Sequence, residues 1–259
     1  MNKSEFQLSL YGIEKFAQEI EQHVVKSNSL IQKTRYELSL DEQKIILYII
    51  SKIKPQETEL NEYRIDLKTL CMILGIESKG NYKYLKDVIK GLHDKSFWYY
   101  DEATKTDILL SWIQKARIEY LSTEVVIKLD EDLKPYLLQL SEKYTMYEFY
   151  NILAMKSKYS IRLYELLKSY ANLGSIKISI NDLKKMLHCE DKYEIYNNFK
   201  KRIIIPAVNE INTYTDLQVE FDTWRTGRNI THILFSIQKI EDVKVLSERY
   251  NTTLFDTLN

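Results

Sequence analysis

The 259-residue chain has little of the residues on which several protein classes depend. It contains two cysteines, three prolines and six glycines, which excludes a disulfide scaffold, a collagen-like repeat and a proline-rich linker protein. Cys71 and Cys189 lie far apart and outside any CxxC pair, so we expect two buried thiols in a reducing compartment. The longest apolar run, residues 45–50, is far shorter than the roughly 20 residues that cross a bilayer.

Charge excess and catalytic motifs are absent as well. The 37 lysines and arginines are matched by 37 aspartates and glutamates, so any acidic partner must be bound by local basic patches. The first residues contain no apolar signal segment, which predicts a cytoplasmic protein without membrane association. The four histidines form no paired metal motif, and there is no glycine-rich phosphate loop and no GxSxG elbow. We therefore expect no enzyme, no cofactor and no metal site.

One arrangement of apolar residues occurs twice, 113 positions apart. Residues 65–75 and 178–188 each predict a short extended segment followed by a two-turn helix. A second helix follows in both halves, over residues 82–92 and 196–206, with its apolar residues at matching spacing. The two halves share this pattern more than they share residue identity. The repeat predicts two domains with the same order of elements.

Strand-forming sequence follows the second helix in each half. The first half has residues 97–100, 108–113 and a third strand near 124–129, whereas the second half alternates apolar and polar residues over 217–223 and 230–237. A short polar loop with one glycine joins the last two strands, as in a β-hairpin. Two helices followed by a hairpin form a winged helix-turn-helix. We therefore predict an α+β fold with two tandem winged-helix domains.

The predicted boundaries follow from this repeat. Pro135 stands near the start of a connecting helix, with Tyr136, Leu137, Leu140 and Tyr144 at helical spacing after it. The predicted segments are an N-terminal arm (1–26), a first winged helix (27–140), a second winged helix (145–240) and a charged C-terminal tail (241–259).

Positive charge is concentrated in the elements that would face DNA. Residues 79–95 hold five lysines against two aspartates, residues 192–202 hold four cations against one glutamate, and residues 223–239 hold three cations and no acid. A recognition helix needs cations near phosphates, and arginine, lysine, asparagine or glutamine at base edges. The candidate DNA-binding residues are Lys79, Lys83, Lys86, Asn197, Asn198, Lys200, Lys201, Arg202, Arg225 and Arg228.

A simpler interpretation of these residues remains open. Lysines on an exposed helix are commonly just solvated, and the tyrosines near both helices are typical of core or rim packing. We expect Trp98, Trp112 and Trp224 to belong to the hydrophobic core beneath the sheets.

Three segments resemble a known family. Residues 156–168, KSKYSIRLYELLK, resemble the SKY-x-x-RLYELL signature that opens the second winged helix of iteron-binding, theta-type plasmid replication initiators. Residues 204–212, IIPAVNEIN, are similar to that family's I-x-P-A-x-x-E-I-N stretch, and residues 28–44 to its N-terminal start. The resemblance covers roughly residues 27–240, and the RLYELL element is its most specific part.

The resemblance implies a function and partners. Such initiators bind directly repeated iterons in double-stranded origin DNA, help to open the duplex, and recruit the host protein DnaA and the replicative helicase. They exist as homodimers in equilibrium with monomers and dimerise largely through the first winged helix. The dimers bind an operator and repress the initiator's own gene, while the monomers initiate replication. The second winged helix makes the main sequence-specific contacts, and Lys158 and Arg162 would contact phosphate at the start of its first helix.

The neutral charge of this chain departs from the family, whose members are often more basic. We therefore expect specific binding that depends strongly on salt, and comparatively weak non-specific binding. Three other functions stay open: a winged-helix transcriptional repressor without initiator activity, a rolling-circle nickase with a tyrosine nucleophile, and a protein-binding scaffold.

Overall fold

The helices and strands are numbered here in chain order along the computed structural model, which describes residues 15–76, 81–227 and 229–258. The elements up to residue 148 are α1 (15–20), β1 (His23–Ser27), α2 (Asn28–Lys33), α3 (Leu40–Ser51), β2 (Glu62–Asp66), α4 (Leu67–Leu74), α5 (Tyr82–His93), β3 (Ser96–Asp101), β4 (Thr106–Ser111), β5 (Ile113–Glu119), β6 (Glu124–Leu129), α6 (Lys134–Leu137) and β7 (Tyr144–Glu148). The later elements are α7 (Tyr150–Leu153), α8 (Lys158–Ser169), β8 (Ser175–Ser179), α9 (Ile180–Met186), α10 (Tyr196–Phe199), a π-helical segment (Lys200–Ile204), α11 (Ile205–Tyr214), β9 (Leu217–Thr226), β10 (Asn229–Lys239) and α12 (Val243–Leu258).

Two three-stranded sheets share one strand order, which confirms the predicted tandem winged helices. In the first half, β6 lies between β2 and β5, and in the second half β10 lies between β8 and β9. All four pairings are antiparallel. In each half the first strand leads into a short helix, α4 or α9, and then into a longer one, here called the recognition helix. It is α5 in the first half and the continuous run from α10 to α11 in the second. The last two strands form the wing.

The wing of the first half differs from its prediction. Residues 97–100 and 108–113 were expected to open it, but β3 and β4 pair with each other as a separate two-stranded sheet. The wing is instead the hairpin of β5 and β6. The apolar run over residues 108–113 hides the boundary between β4 and β5 in the sequence, because Trp112, which lies between these strands, is itself buried in the core.

Both ends of the described chain belong to the fold. β1 pairs with β7 from His23 opposite Glu148 to Ser27 opposite Tyr144, and Val24 on β1 is fully buried. α12 occupies most of the predicted tail. Its Arg249 donates hydrogen bonds of 2.6 and 2.7 Å to the carbonyls of Thr215 and Leu217. Within the described ranges, neither an arm before residue 27 nor a tail after residue 240 stands apart from the core.

The connection after Pro135 also differs from its prediction. α6 ends at Leu137, and Leu138 already has an extended backbone. Tyr144 begins β7 and does not extend a helix. The spacing of apolar residues from 136 to 144 fits a helix, but pairing with β1 gives the last of these residues a ladder of backbone hydrogen bonds instead.

α3 is the central helix of the first half. Its capping box joins Ser39 and Glu42: the Glu42 amide donates to Ser39 Oγ (3.2 Å), and the Ser39 amide donates to Glu42 Oε2 (2.7 Å). Residues 45–50 are all buried, as expected for a helix that is apolar on every side. Cys71 and Cys189 are buried free thiols, as predicted.

The tryptophans divide between core and surface. Trp112 is buried and contacts the rings of Tyr36 and Phe97, as predicted. Trp98 and Trp224 are 62% and 51% exposed, so their assignment to the core was wrong. Both lie on the outward face of a strand, where sequence alternation alone does not distinguish the covered face from the open one.

Across the described residues, no helix combines the length and apolar character needed to cross a membrane. The same residues bring together no group of three or more histidine, cysteine, aspartate or glutamate side chains that could hold a metal ion.

Candidate nucleic-acid interface

The second recognition helix runs without interruption from α10 through the π-helical segment into α11. In the π-helical segment the amide of Ile205 donates to the carbonyl of Lys200, five residues earlier. Pro206 gives a reason for this wider turn, since it has no amide to donate to the carbonyl four residues before it. Phe199, Ile203 and Ile204 are buried, which fixes the face that the helix turns to the core.

The opposite face presents the predicted contact residues. Asn197, Asn198, Lys201 and Arg202 are all exposed. Within the described ranges, none of their side chains forms a hydrogen bond or an ion pair with another residue. Lys200 is half-buried, and its Nζ lies 5.6 Å from the centre of the Phe221 ring on β9, so it is directed toward the wing. The helix thus offers two free cations and two free amides on one surface.

The second wing extends this surface. Arg225 is exposed near the end of β9, opposite Ile230, and has no ion-pair partner in the part of the chain that the structure describes. Gly227, at φ +62°, adopts the left-handed backbone of the turn, which glycine does without steric cost. Arg228, predicted beside it, lies outside the described residues. Between helix and wing runs a groove of about 380 Å³, with Lys184, Tyr196 and His232 in its lining.

The first recognition helix, α5, carries a second set of cations. Lys83 and Lys86 are exposed, and Lys86 Nζ lies 5.4 Å from the centre of the Tyr120 ring at the tip of the first wing. A groove of about 440 Å³ separates α5 from β5, and Lys115 also lines it. Lys79 lies outside the described residues.

Two further lysines of this region are already paired. Lys90 forms an ion pair with Asp94, and Lys95 reaches Glu42 Oε2 at 2.5 Å. The positive charge that α5 and the residues just after it can offer to DNA is therefore smaller than the sequence indicates.

Lys158 begins α8 and already has a partner. Its Nζ lies 3.1 Å from Glu37 Oε1, and His188 and Lys192 approach the same carboxylate at 3.5 and 3.8 Å. The hydrogen bond from Lys158, together with the charges of these neighbours, holds the pKa of the Glu37 carboxyl below its ordinary value. The predicted phosphate contact of Lys158 would have to compete with this ion pair.

Arg162 does not lie on the surface, and this corrects its prediction as a phosphate contact. It is 4% exposed. Its guanidinium donates to the Tyr36 hydroxyl (2.8 Å) and to the carbonyls of Ile31 and Thr34 (3.2 and 3.4 Å). These two carbonyls lie at the C-terminal end of α2, where Thr34 is the C-cap. A cation at this end of a helix binds free carbonyls and the negative end of the helix dipole.

A buried ionic cluster continues from Arg162. Lys26 on β1 donates to Glu165 Oε1 at 2.6 Å, and the Tyr147 hydroxyl on β7 donates to the same oxygen at 2.8 Å. Burial alone would raise the pKa of the Glu165 carboxyl, but the charges of Lys26 and Arg162 and these hydrogen bonds hold it below its ordinary value. The polar residues of the RLYELL motif thus join α8 to the N-terminal elements.

Comparison with known proteins supplies the assignment. The family model described as "Initiator Replication protein, WH1" matches residues 23–168, and the model described as "Initiator Rep protein, WH2" matches residues 179–237. The chain belongs to the initiator replication protein family. The first match alone spans more than half of the chain, and it includes both β1 and α8.

The chain is similar to a known protein by sequence and to a solved structure by fold. A replication initiation protein of Escherichia coli is 23% identical over 240 residues, which are 89% of this chain and 74% of the relative. The crystal structure of Pi initiator protein in complex with iteron DNA matches with a TM-score of 0.70 at 21% identity, over 86% of this chain and 99% of that one. At this identity, the structural likeness shows the shared tandem winged-helix fold. Family membership agrees with the expectation of a non-enzymatic DNA-binding protein.

Two surface residues of this initiator were missed by sequence reasoning. Lys177 on β8 places its Nζ 3.8 Å from the centre of the Trp224 ring, which brings a cation onto the outer face of the second wing. The alternation of residues 175–179 was the available signal, since it turns Lys177 outward. Ile195 is an exposed apolar residue directly before the recognition helix, a position where residues with a capping oxygen are favoured.

Proposed function

We propose that this initiator binds repeated sequences at a plasmid origin, mainly through the second recognition helix and its wing. The observation that carries the proposal is the free face formed by Asn197, Asn198, Lys201 and Arg202 in a chain of the initiator family. Lysine and arginine can neutralise phosphates or reach guanine, and asparagine can pair with adenine in the major groove. The Pi initiator protein, whose crystal structure is a complex with iteron DNA, supports the choice of ligand.

The first winged helix adds a second contact. Lys83 and Lys86 on α5 present charge to a further stretch of the duplex, close to the first wing. Linking two binding modules in one chain makes the second binding event intramolecular and raises the overall affinity. The contacts of this region are weaker than those of the second half, because Lys90 on α5 and Lys95 just after it are paired internally.

The finer parts of the proposal rest on the family resemblance. Bound monomers open the origin and recruit the host protein DnaA and the replicative helicase, while dimers bind an operator and repress the initiator's own gene. The outward face of the β3–β4 sheet supports dimerisation through the first winged helix. It exposes Trp98 and Leu109, which are cross-strand partners, together with Tyr100. A contiguous exposed apolar face of this kind marks an interaction surface.

The test is an anisotropy titration on the DNA that flanks the initiator's own gene, at two salt concentrations. Wild type is compared with a Lys201→Ala/Arg202→Ala variant. The control is Lys54→Ala/Lys244→Ala, which removes two exposed lysines outside both recognition helices and both wings. We expect stepwise binding to a direct-repeat array, and a salt slope that falls by about 2 in the first variant and stays unchanged in the control.

Two results would contradict this function. A single complex on an inverted repeat, with no binding to direct repeats, would favour a transcriptional repressor. Equal affinity for origin DNA and random duplex would show that the helix does not read sequence.

A further inference from the structure

Ile195 stands at the N-cap of the second recognition helix, where its side chain does nothing for the helix. Its backbone is extended, and its carbonyl accepts hydrogen bonds from the amides of Asn198 (3.0 Å) and Phe199 (3.2 Å). Its side chain makes no capping hydrogen bond. Isoleucine is among the least favourable residues at this position because it offers no oxygen to the free amides of the first turn.

The same side chain contributes nothing to the core. Ile195 is 64% exposed, and in the part of the chain that the structure describes it is the one isoleucine among the exposed large hydrophobic side chains. The buried face of the helix begins one turn later, at Phe199. Because Ile195 acts neither as a capping residue nor as part of the core, its exposed apolar side chain is available to a ligand.

The surroundings of Ile195 are those of a base-reading surface. It lines an open concavity of about 310 Å³ together with Tyr193, Glu194, Asn198 and Arg202. Asn198 and Arg202 follow at three and seven positions, so all three side chains share one face of the helix. Within the described ranges, the side chains of Asn198 and Arg202 bond to no other residue.

The chemistry of this face identifies what Ile195 can contact. The N-terminal residues of a recognition helix reach base edges in the major groove. There, thymine alone among the four bases presents a methyl group, and apolar side chains recognise it by contact. We infer that Ile195 reads a thymine through its 5-methyl group, beside the bases contacted by Asn198 and Arg202. This inference rests on the proposed function, since it names one base feature read by the same helix.

The test removes the methyl group from the DNA and the side chain from the protein. A direct-repeat fragment is prepared with deoxyuridine in place of thymidine, and binding is measured for wild type and Ile195→Ala. We expect wild type to bind the uracil fragment about fourfold more weakly than the thymine fragment, because the contact between Ile195 and one buried methyl group is lost. Ile195→Ala should bind the thymine fragment with a similar loss and respond little to uracil. Replacing one thymidine at a time then locates the base. The amount by which the losses from Ile195→Ala and from uracil fail to add measures the energy of the contact between them.

Two more variants separate this role from a structural one. Leu173→Ala removes an exposed aliphatic side chain of the same half of the chain and should keep the full uracil effect. Ile195→Ser supplies a capping oxygen. The variant protein should therefore melt at a higher temperature than wild type, while its DNA binding should no longer respond to uracil. A lower melting temperature for Ile195→Ser would show that Ile195 serves the fold and would overturn the inference.

The remaining outcomes separate the two proposals. Normal wild-type binding, with equal uracil effects in wild type and Ile195→Ala, would overturn the thymine contact alone. Wild-type protein that binds direct repeats no better than random duplex would overturn the proposed function, and the thymine contact with it.

Discussion

Arg162 and Lys201 are both cations on helices of the second half of the chain, yet their surroundings give them different roles. Arg162 is enclosed by Tyr36, the carbonyls at the end of α2 and Glu165. Lys201 is exposed and has no ion-pair partner within the described ranges. Sequence alone assigns the same charge to both. The difference depends on which neighbours the fold brings to each residue: Tyr36 and the carbonyls of α2 lie more than 120 positions away from Arg162 in the chain.

Arg162→Ala tests the structural role of this residue. Removing one partner of a buried ionic cluster strands the other charges, so we expect the free energy of unfolding to fall by about 3–5 kcal/mol. Urea denaturation measures this loss. Lys158→Ala is the control, because its partially exposed pair with Glu37 contributes at most about 1 kcal/mol. An Arg162→Ala protein of normal stability, with a salt slope for DNA lowered by about 1, would restore Arg162 as a phosphate contact.

Lys44 on α3 gives a prediction about pH. Burial lowers the pKa of its ammonium group to about 8. Between pH 8 and the ordinary lysine pKa near 10.5, the unfolded chain holds more protons on this residue than the folded protein does. The free energy of unfolding should therefore rise with pH over this window, by about 1–3 kcal/mol.

The comparison with Lys44→Met isolates this effect from the titration of other groups. The variant should be more stable than wild type at pH 7.5, and its advantage should shrink as the pH approaches 10. Denaturant titrations of both proteins at several pH values measure the difference. A difference that stays constant with pH would show that Lys44 does not titrate in this range.

At the scale of helices and strands, prediction succeeded where local signals agree. The capping box of α3, the spacing of apolar residues in α5, and the alternation in β9 each have a local cause, and all three elements form. Prediction failed where long-range pairing decides. β7 exists because β1 pairs with it, and the first wing begins at Ile113 because β6 pairs with β5. The face of the second recognition helix was predictable from Phe199 and Ile203, whereas the interior position of Arg162 was not.

The outward face of β3 and β4 carries a prediction about association. Trp98→Ser/Leu109→Ser removes an exposed cross-strand apolar pair. We expect the proposed dimer to dissociate at least about tenfold more readily, because each side chain would bury apolar area worth about 1.5–3 kcal/mol in the interface. Sedimentation velocity over a concentration series measures the change. Val243→Ser, which alters an exposed residue at the start of α12, should leave association unchanged, and an unchanged Trp98/Leu109 variant would place the interface elsewhere.

At the scale of the whole molecule, the two winged helices share one hydrophobic core. Buried residues from α1 through β10 form a single cluster, and the Lys26–Glu165 pair and the bonds of Arg162 join the N-terminal elements to α8. The placement of charged side chains is also a property of the whole molecule. A neutral chain leaves cations free on the second recognition helix while it pairs others internally.

A shared core predicts one cooperative unfolding transition. Two independent domains would unfold separately, but exposing either half here also exposes buried surface of the other. Differential scanning calorimetry should therefore show a single peak whose calorimetric and van't Hoff enthalpies agree. Two resolved peaks would show that the halves are energetically separate despite their contacts.

The pairing of β1 with β7 also has a consequence for synthesis on the ribosome. His23 meets Glu148, 125 positions later along the chain, so β1 leaves the ribosome long before its partner exists. At about 5–20 residues per second, this strand waits roughly 6 to 25 s with an unpaired edge. A lysine on such an edge discourages pairing with other chains. We therefore expect Lys26 to protect the nascent strand first, before it becomes the buried partner of Glu165 once β7 and α8 have been made.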